Sequence, residues 1–73
     1  MAPRNNGEEK DLIGATKTSF RIIEQVKENG GANVSELAEQ LSLPKSTAHR
    51  HVKTLEGLGY LINEGTEYRL SLR

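Results

Sequence analysis

A proline at position 44 falls between two stretches of helical periodicity. It has no N–H with which to continue the first stretch and disfavours helical geometry in the residue before it, yet its fixed φ suits the first turn of a new helix. The stretch before it opens with Asn33-Val34-Ser35-Glu36, an N-cap side chain followed three residues later by a Glu that can reach back to it. Leu37, Ala38 and Leu41 then form its apolar stripe. The stretch after it runs from about Pro44 to Leu58, with Ala48, Val52, Leu55 and Leu58 inward and Gly59 as its stop. Two helices joined by about three residues must cross steeply, and Ala38 supplies the small side chain such a crossing needs.

The flanking segments complete the fold. Phe20, Ile23 and Val26, with Ile22 beside them, recur at helical spacing from about Thr16, and Asn29-Gly30-Gly31 ends that helix. After Gly59 the period becomes two. Tyr60-Leu61-Ile62-Asn63 and Glu67-Tyr68-Arg69-Leu70-Ser71-Leu72 read as strands around Glu64-Gly65-Thr66, with Leu61, Tyr68, Leu70 and Leu72 toward the core. The expected fold is mainly α with a small β-hairpin: a winged helix-turn-helix, that is, a three-helix bundle plus a wing. It occupies 15–73, behind a flexible arm at 1–14 that mixes Pro, Gly, Asn and charges. With 73 residues, three aromatic side chains and no cysteine, the chain holds one thin aliphatic core and no disulfide.

Net charge is zero, but its distribution is uneven. Residues 1–14, 15–41 and 56–73 each carry one more acid than base, whereas 42–55 hold Lys45, Arg50, Lys53 and two histidines with no acid. Such a patch in a neutral chain suits a module that meets a polyanion through one element. With Ala48 at zero, Val52 falls near ~40° and Leu55 near ~340°, while Ser46 (~160°), Arg50 (~200°) and Lys53 (~140°) occupy the opposite face. His49 lies at one margin, Thr47 and Thr54 at the other. Arg pairs bidentately with a guanine edge, Ser and His read base edges or phosphate, and Lys tracks the backbone. Lys45, Ser46 and Thr47 sit where first-turn N–H groups also favour phosphate. On the hairpin, Asn63, Thr66 and Arg69 are candidate phosphate or sugar contacts, and Ser35 on the second helix joins the set.

The run Ser35-Glu36-Leu37-Ala38-Glu39-Gln40-Leu41-Ser42-Leu43-Pro44-Lys45-Ser46-Thr47-Ala48-His49-Arg50, with Leu55-Glu56-Gly57-Leu58-Gly59-Tyr60-Leu61 and Tyr68-Arg69-Leu70, resembles the amino-terminal DNA-binding domain of IclR-type transcriptional regulators. The resemblance covers about residues 15–72. It implies binding to double-stranded, palindromic operator DNA as part of a homodimer, and a small-molecule effector held by a separate carboxy-terminal domain that these residues do not include. An excised DNA-binding fragment is the favoured reading over a free-standing module. Two departures stand out. His51 replaces an aliphatic residue at the core's edge, where a satisfied, half-buried histidine is expected ahead of a pH switch. The hairpin tip, Glu64-Gly65-Thr66-Glu67, is acidic where the family often has a basic residue.

Other chemistry finds little support. His49 and His51 lie ~200° apart on their helix and cannot share a metal as an i, i+4 pair does. Ser46 and His49 lack an acid to orient the imidazole, so no catalytic residue, metal or cofactor is expected. The glycines lack phosphate-loop spacing, and Tyr60 and Tyr68 read as packing rather than as platforms for single strands. The longest apolar run, Leu58 to Ile62, is about five residues against the ~18 of a spanning helix, so a cytoplasmic protein without a membrane partner is expected. The alternative function is a winged-helix protein–protein interaction adaptor, for which a third helix this basic and polar is poorly suited. A structural RNA-binding winged helix would suit a basic wing better than this acidic one.

Overall fold

The computed structural model describes residues 6–71, with side chains described from Ile13 onward. Three helices, α1 (Asn6–Asn29), α2 (Val34–Gln40) and α3 (Lys45–Gly57), precede a hairpin of β1 (Leu61–Glu64) and β2 (Glu67–Leu70). The helix α1 begins well before Thr16, so residues 6–14, expected in the arm, are helical; residues 1–5 lie outside the described residues. The stretch from Glu8 to Ile13 contains no proline or glycine, and propagating an existing helix costs little.

Local rules account for the boundaries. Asn33 caps α2 by accepting from the Glu36 N–H at 2.8 Å, while the Glu36 carboxylate accepts from the Asn33 N–H at 2.9 Å. All three helices close on paired bonds that satisfy their last carbonyls. Leu43 N–H reaches Ala38 O at 2.8 Å and Ser42 N–H reaches Glu39 O at 3.3 Å, with equivalent pairs after α1 and α3. That closure requires a left-handed residue just past the helix. Gly30 and Gly59 fill the role for α1 and α3, but after α2 it falls to Ser42, at φ 55°.

The hairpin pairs Leu61 with Leu70 and Glu64 with Glu67 across a two-residue Gly65-Thr66 turn. A contact absent from the sequence reading ties the wing to the helices. Ala32, between α1 and α2, bridges Tyr68 through bonds of 3.0 and 2.8 Å, and is itself fully buried.

One core joins Ile22 and Val26 of α1, Leu37 and Leu41 of α2, Val52 and Leu55 of α3, Leu61, Tyr68 and Ala32. Ala38 and Ala48 are buried at the helix crossing, as a steep approach demands. Several apolar residues expected inside are not. Phe20, Leu58 and Tyr60 are exposed, Ile23 and Leu70 are half-buried, and Leu72 lies outside the described residues. On α1 the buried line is Ile22–Val26, and Phe20 stands ~160° from Ile22. Leu58 is the C-cap of α3, past its buried residues, and Tyr60 lies in the turn leading to β1. Together these elements form a winged helix-turn-helix.

Candidate nucleic-acid interface

The face of α3 is fixed by what its other side buries. Ala48 and Val52 are wholly buried and Leu55 nearly so, so Ser46, His49, Arg50 and Lys53 stand in solvent, with Lys45 exposed at the first position and Thr47 half-buried. Neither Ser46, Arg50 nor Lys53 is covered by the hairpin. The Arg50 guanidinium has no bonding partner among the described residues, which leaves all its donors available.

The amino end of α3 is shaped for anions. Its N-cap is Pro44, which contributes no side-chain acceptor, and no acid stands in the first turn. The first N–H groups therefore lack a capping partner from this helix, and the positive end of the helix dipole carries no offsetting carboxylate.

Further along, the cationic stretch is tempered. Lys53 Nζ donates to Glu56 Oε1 at 3.0 Å. That hydrogen bond and the Glu56 charge, with smaller contributions from Tyr68, raise the Lys53 pKa above its usual value, so the ammonium is held charged. Thr54 is exposed, but its hydroxyl donates to Arg50 O at 2.9 Å and is thereby committed to its own helix.

Residues proposed outside α3 are less concentrated. Ser35 is exposed near the start of α2, at the end of that helix away from the turn into α3. Asn63 and Thr66 are exposed on the wing. Arg69 is also exposed, but its Nε meets Glu64 Oε1 at 2.8 Å, so the acidic tip engages the wing's only described cation. A direct phosphate contact from Arg69 must first displace that carboxylate.

His51 faces α1, where its Nδ1 lies 3.1 Å from Ser19 Oγ. It is half-buried and partnered, as the plain reading of that histidine expected. Two further contacts tie α1 to the end of α2. Arg21 Nη2 donates to Leu41 O at 3.3 Å, capping the end of α2 from α1, and Asn29 Nδ2 donates to Gln40 Oε1 at 2.8 Å. Neither pair has a sequence signature, because each joins residues on different elements. Among the described residues no three His, Cys, Asp or Glu side chains converge as a metal site does, and no helix is long and apolar enough to cross a membrane.

The IclR helix-turn-helix domain model matches residues 17–65. The HTH-type transcriptional regulator KdgR of Dickeya chrysanthemi is 28% identical over 72 residues, covering 99% of this chain and 24% of that protein. The chain thus spans about a quarter of the length of the curated relatives it matches. Among solved structures, the Zα domain of Carassius auratus PKZ in complex with Z-DNA aligns with a TM-score of 0.75 at 25% identity, covering 78% of this chain and 97% of that one. HmgR of Pseudomonas aeruginosa shares the fold, with a TM-score of 0.70 at 24% identity over 77% of this chain and 25% of that one.

Proposed function

The chain belongs to the IclR helix-turn-helix family, and on that premise we propose that it is the operator-reading domain of a prokaryotic transcriptional regulator, binding double-stranded DNA sequence-specifically with α3 in the major groove. The observation that carries this reading is the division of α3. Ala48, Val52 and Leu55 are buried, while Ser46, Arg50 and Lys53 stand in solvent on the opposite side. A B-form major groove admits one α-helix and offers each base pair as a distinct pattern of donors and acceptors. Arg50, unpartnered, supplies the bidentate contact to guanine. Ser46 and His49 read base edges or phosphate, and Lys45, Lys53, Thr47 and the first-turn N–H groups hold the backbone. Ser35, Thr54, Thr66 and Arg69 are peripheral contacts, Arg69 and Thr54 the weakest because each already has a partner. The Zα domain, similar in fold, was solved with Z-DNA, which supports a nucleic-acid partner for a winged helix of this shape.

The chain acts as a binding module rather than an enzyme, in the cytoplasm. Two copies occupy the half-sites of a palindromic operator, and the effector is sensed by a separate carboxy-terminal domain of the full regulator. One head touches one half-site, so an isolated copy binds weakly and a pair binds far more tightly. Selection of bound duplexes from a random pool, with two copies artificially joined, tests the proposal. A palindromic consensus is expected; a pool that stays random in sequence refutes specific reading.

A further inference from the structure

On the α1 side of α3 lies an open cleft of about 300 Å³, walled by Ala15 of α1 and by Arg50, His51 and Thr54 of α3. Among the described residues no acid lines it. With Ala48 at zero, Arg50 stands at ~200°, Thr54 at ~240° and His51 at ~300°, so the cleft runs along one edge of the outward face. Lys53, at ~140°, marks the other edge, beside the hairpin. A helix seated in a major groove has a phosphate backbone along each flank, and contacts to those phosphates fix its register. The Lys53 flank has its cation; the cleft is what the α1 flank offers.

The His51 ring is seated by Nδ1, 3.1 Å from Ser19 Oγ, while its Nε2 has no partner among the described residues. A hydroxyl donates to a bare ring nitrogen and accepts from a protonated one, so this seat holds in both charge states. Ser19 thus fixes the ring and leaves Nε2 to a ligand. Nothing described near the ring consumes a positive charge there. On α1, Ala15 and Ser19 face it, whereas the nearest charged side chains described, Lys17, Arg21 and Glu24, stand ~140° or more round that helix from Ser19. The second helix, α2, turns Leu37, Ala38 and Leu41 inward. From the hairpin come Leu61 and Tyr68, whose phenol acts on Lys53 at the opposite edge. On α3 itself the charged neighbour is Arg50, which has no carboxylate partner. Thr54, its hydroxyl committed to Arg50 O, is a wall and not a donor. Two such groups side by side, with no acid between them, repel each other once both are charged, and an anion relieves that repulsion.

We propose that this cleft is a phosphate site, in which protonated His51 donates through Nε2 and the Arg50 guanidinium, reaching on to the base edge, adds positive charge at the mouth. Resting on the DNA reading, the occupant is a backbone phosphate on the α1 flank of α3; a free phosphorylated molecule carries the same chemistry. Ala15 serves by being small, since a longer side chain there fills the space the phosphate needs. Histidine is the side chain that gains its charge between about pH 5 and 8, so this contact strengthens on acidification while those of lysine and arginine stay constant. The histidine at the edge of the core is then both a satisfied packing residue and a binding residue.

Fluorescence anisotropy of a labelled mixed-sequence duplex with the full 73-residue chain, at low salt and at about pH 8 and about pH 5.5, tests it. His49→Gln is the background, so that one imidazole remains. Affinity should rise about threefold to fivefold on acidification, and His51→Gln should remove the rise while leaving the affinity at the higher pH unchanged. Ala15→Leu, at an exposed position where circular dichroism should show the fold intact, fills the cleft and should remove at least half of the rise with His51 still present. A rise that survives Ala15→Leu comes from the long-range field of an added charge and overturns the site. So does a rise that survives His51→Gln. Inorganic phosphate alone, read by the His51 ring resonances at the lower pH, separates the sources. A ring that answers phosphate in a chain that binds no duplex at either pH keeps the site, gives it to a free phosphorylated ligand and sinks the DNA reading. Duplex binding in which His51 has no share sinks this site and leaves the DNA reading standing.

Discussion

Glu56 governs how much of Lys53 a phosphate can claim. The ammonium donates to Glu56 Oε1 at 3.0 Å, with the two side chains 53% and 31% exposed, and it is this carboxylate that raises the Lys53 pKa. An incoming phosphate must displace the carboxylate, which also repels it. Glu56→Gln removes the repulsion and leaves only a weaker, neutral acceptor. Exposed ion pairs are weak, so the expected gain in duplex affinity is about twofold to fivefold at low salt. The slope of log K against log salt should steepen by up to about 0.9, the value of one fully engaged phosphate contact. Fluorescence anisotropy of a labelled duplex over a salt series reads both quantities. In a Lys53→Ala background the substitution should change the slope little. The sign of the pH dependence follows from the raised pKa: a cation favoured in the folded state keeps its contribution below its unfolded pKa and loses it only as pH climbs through the folded value. The Lys53 part of the slope should therefore be the same at about pH 7 and about pH 9. If Glu56→Gln moved neither affinity nor slope while Lys53→Ala lowered both, the proposed competition would be wrong.

Three further outcomes follow from the same geometry. Arg50→Ala should weaken specific binding by about 1–3 kcal/mol and relax base preference at one position of the selected site, with no loss of thermal stability because the side chain is exposed and unpartnered. Ser42→Gly should stabilise the domain by about 0.5–1 kcal/mol in thermal or urea unfolding: relief of the left-handed strain outweighs the added freedom of the unfolded chain. A loss of stability would mean that the serine is not strained there. Asn33→Ala removes the side-chain half of the capping box, leaving the backbone N–H at that position to donate to Glu36, and should cost about 1 kcal/mol by the same measurement.

The residues foreseen correctly are those whose placement depends on near neighbours along the chain. Asn33 and Glu36 find each other three residues apart, Pro44 separates two helices whatever surrounds it, and the outward set on α3 follows from Ala48, Val52 and Leu55 by helical period alone. Phe20 shows where that reasoning stops. It and Ile22 are both apolar residues of α1, and which one is buried depends on where α3 and the hairpin lie, a long-range fact with no local signal. The same holds for Ala32, buried by its bridge to Tyr68, and for Arg21, whose partner is a carbonyl twenty residues away.

The wing is the instructive case. Its residues lie on the hairpin as their alternation predicts, yet the cation expected to reach outward is held by Glu64 across the strands. An acidic tip thus pairs with Arg69, while α3 keeps uncommitted cationic donors on its outward face, Arg50 and Lys45 foremost. The consequence for recognition is physical. If the hairpin contributes little to phosphate binding, affinity must come from α3 and from pairing of heads, and the salt dependence of a single head should be shallow, with a slope of about −2 to −3 rather than the steeper value of a domain whose wing also binds the backbone. A measured slope much steeper than that would mean that phosphate breaks the Arg69–Glu64 pair and that the wing is a full partner in the contact.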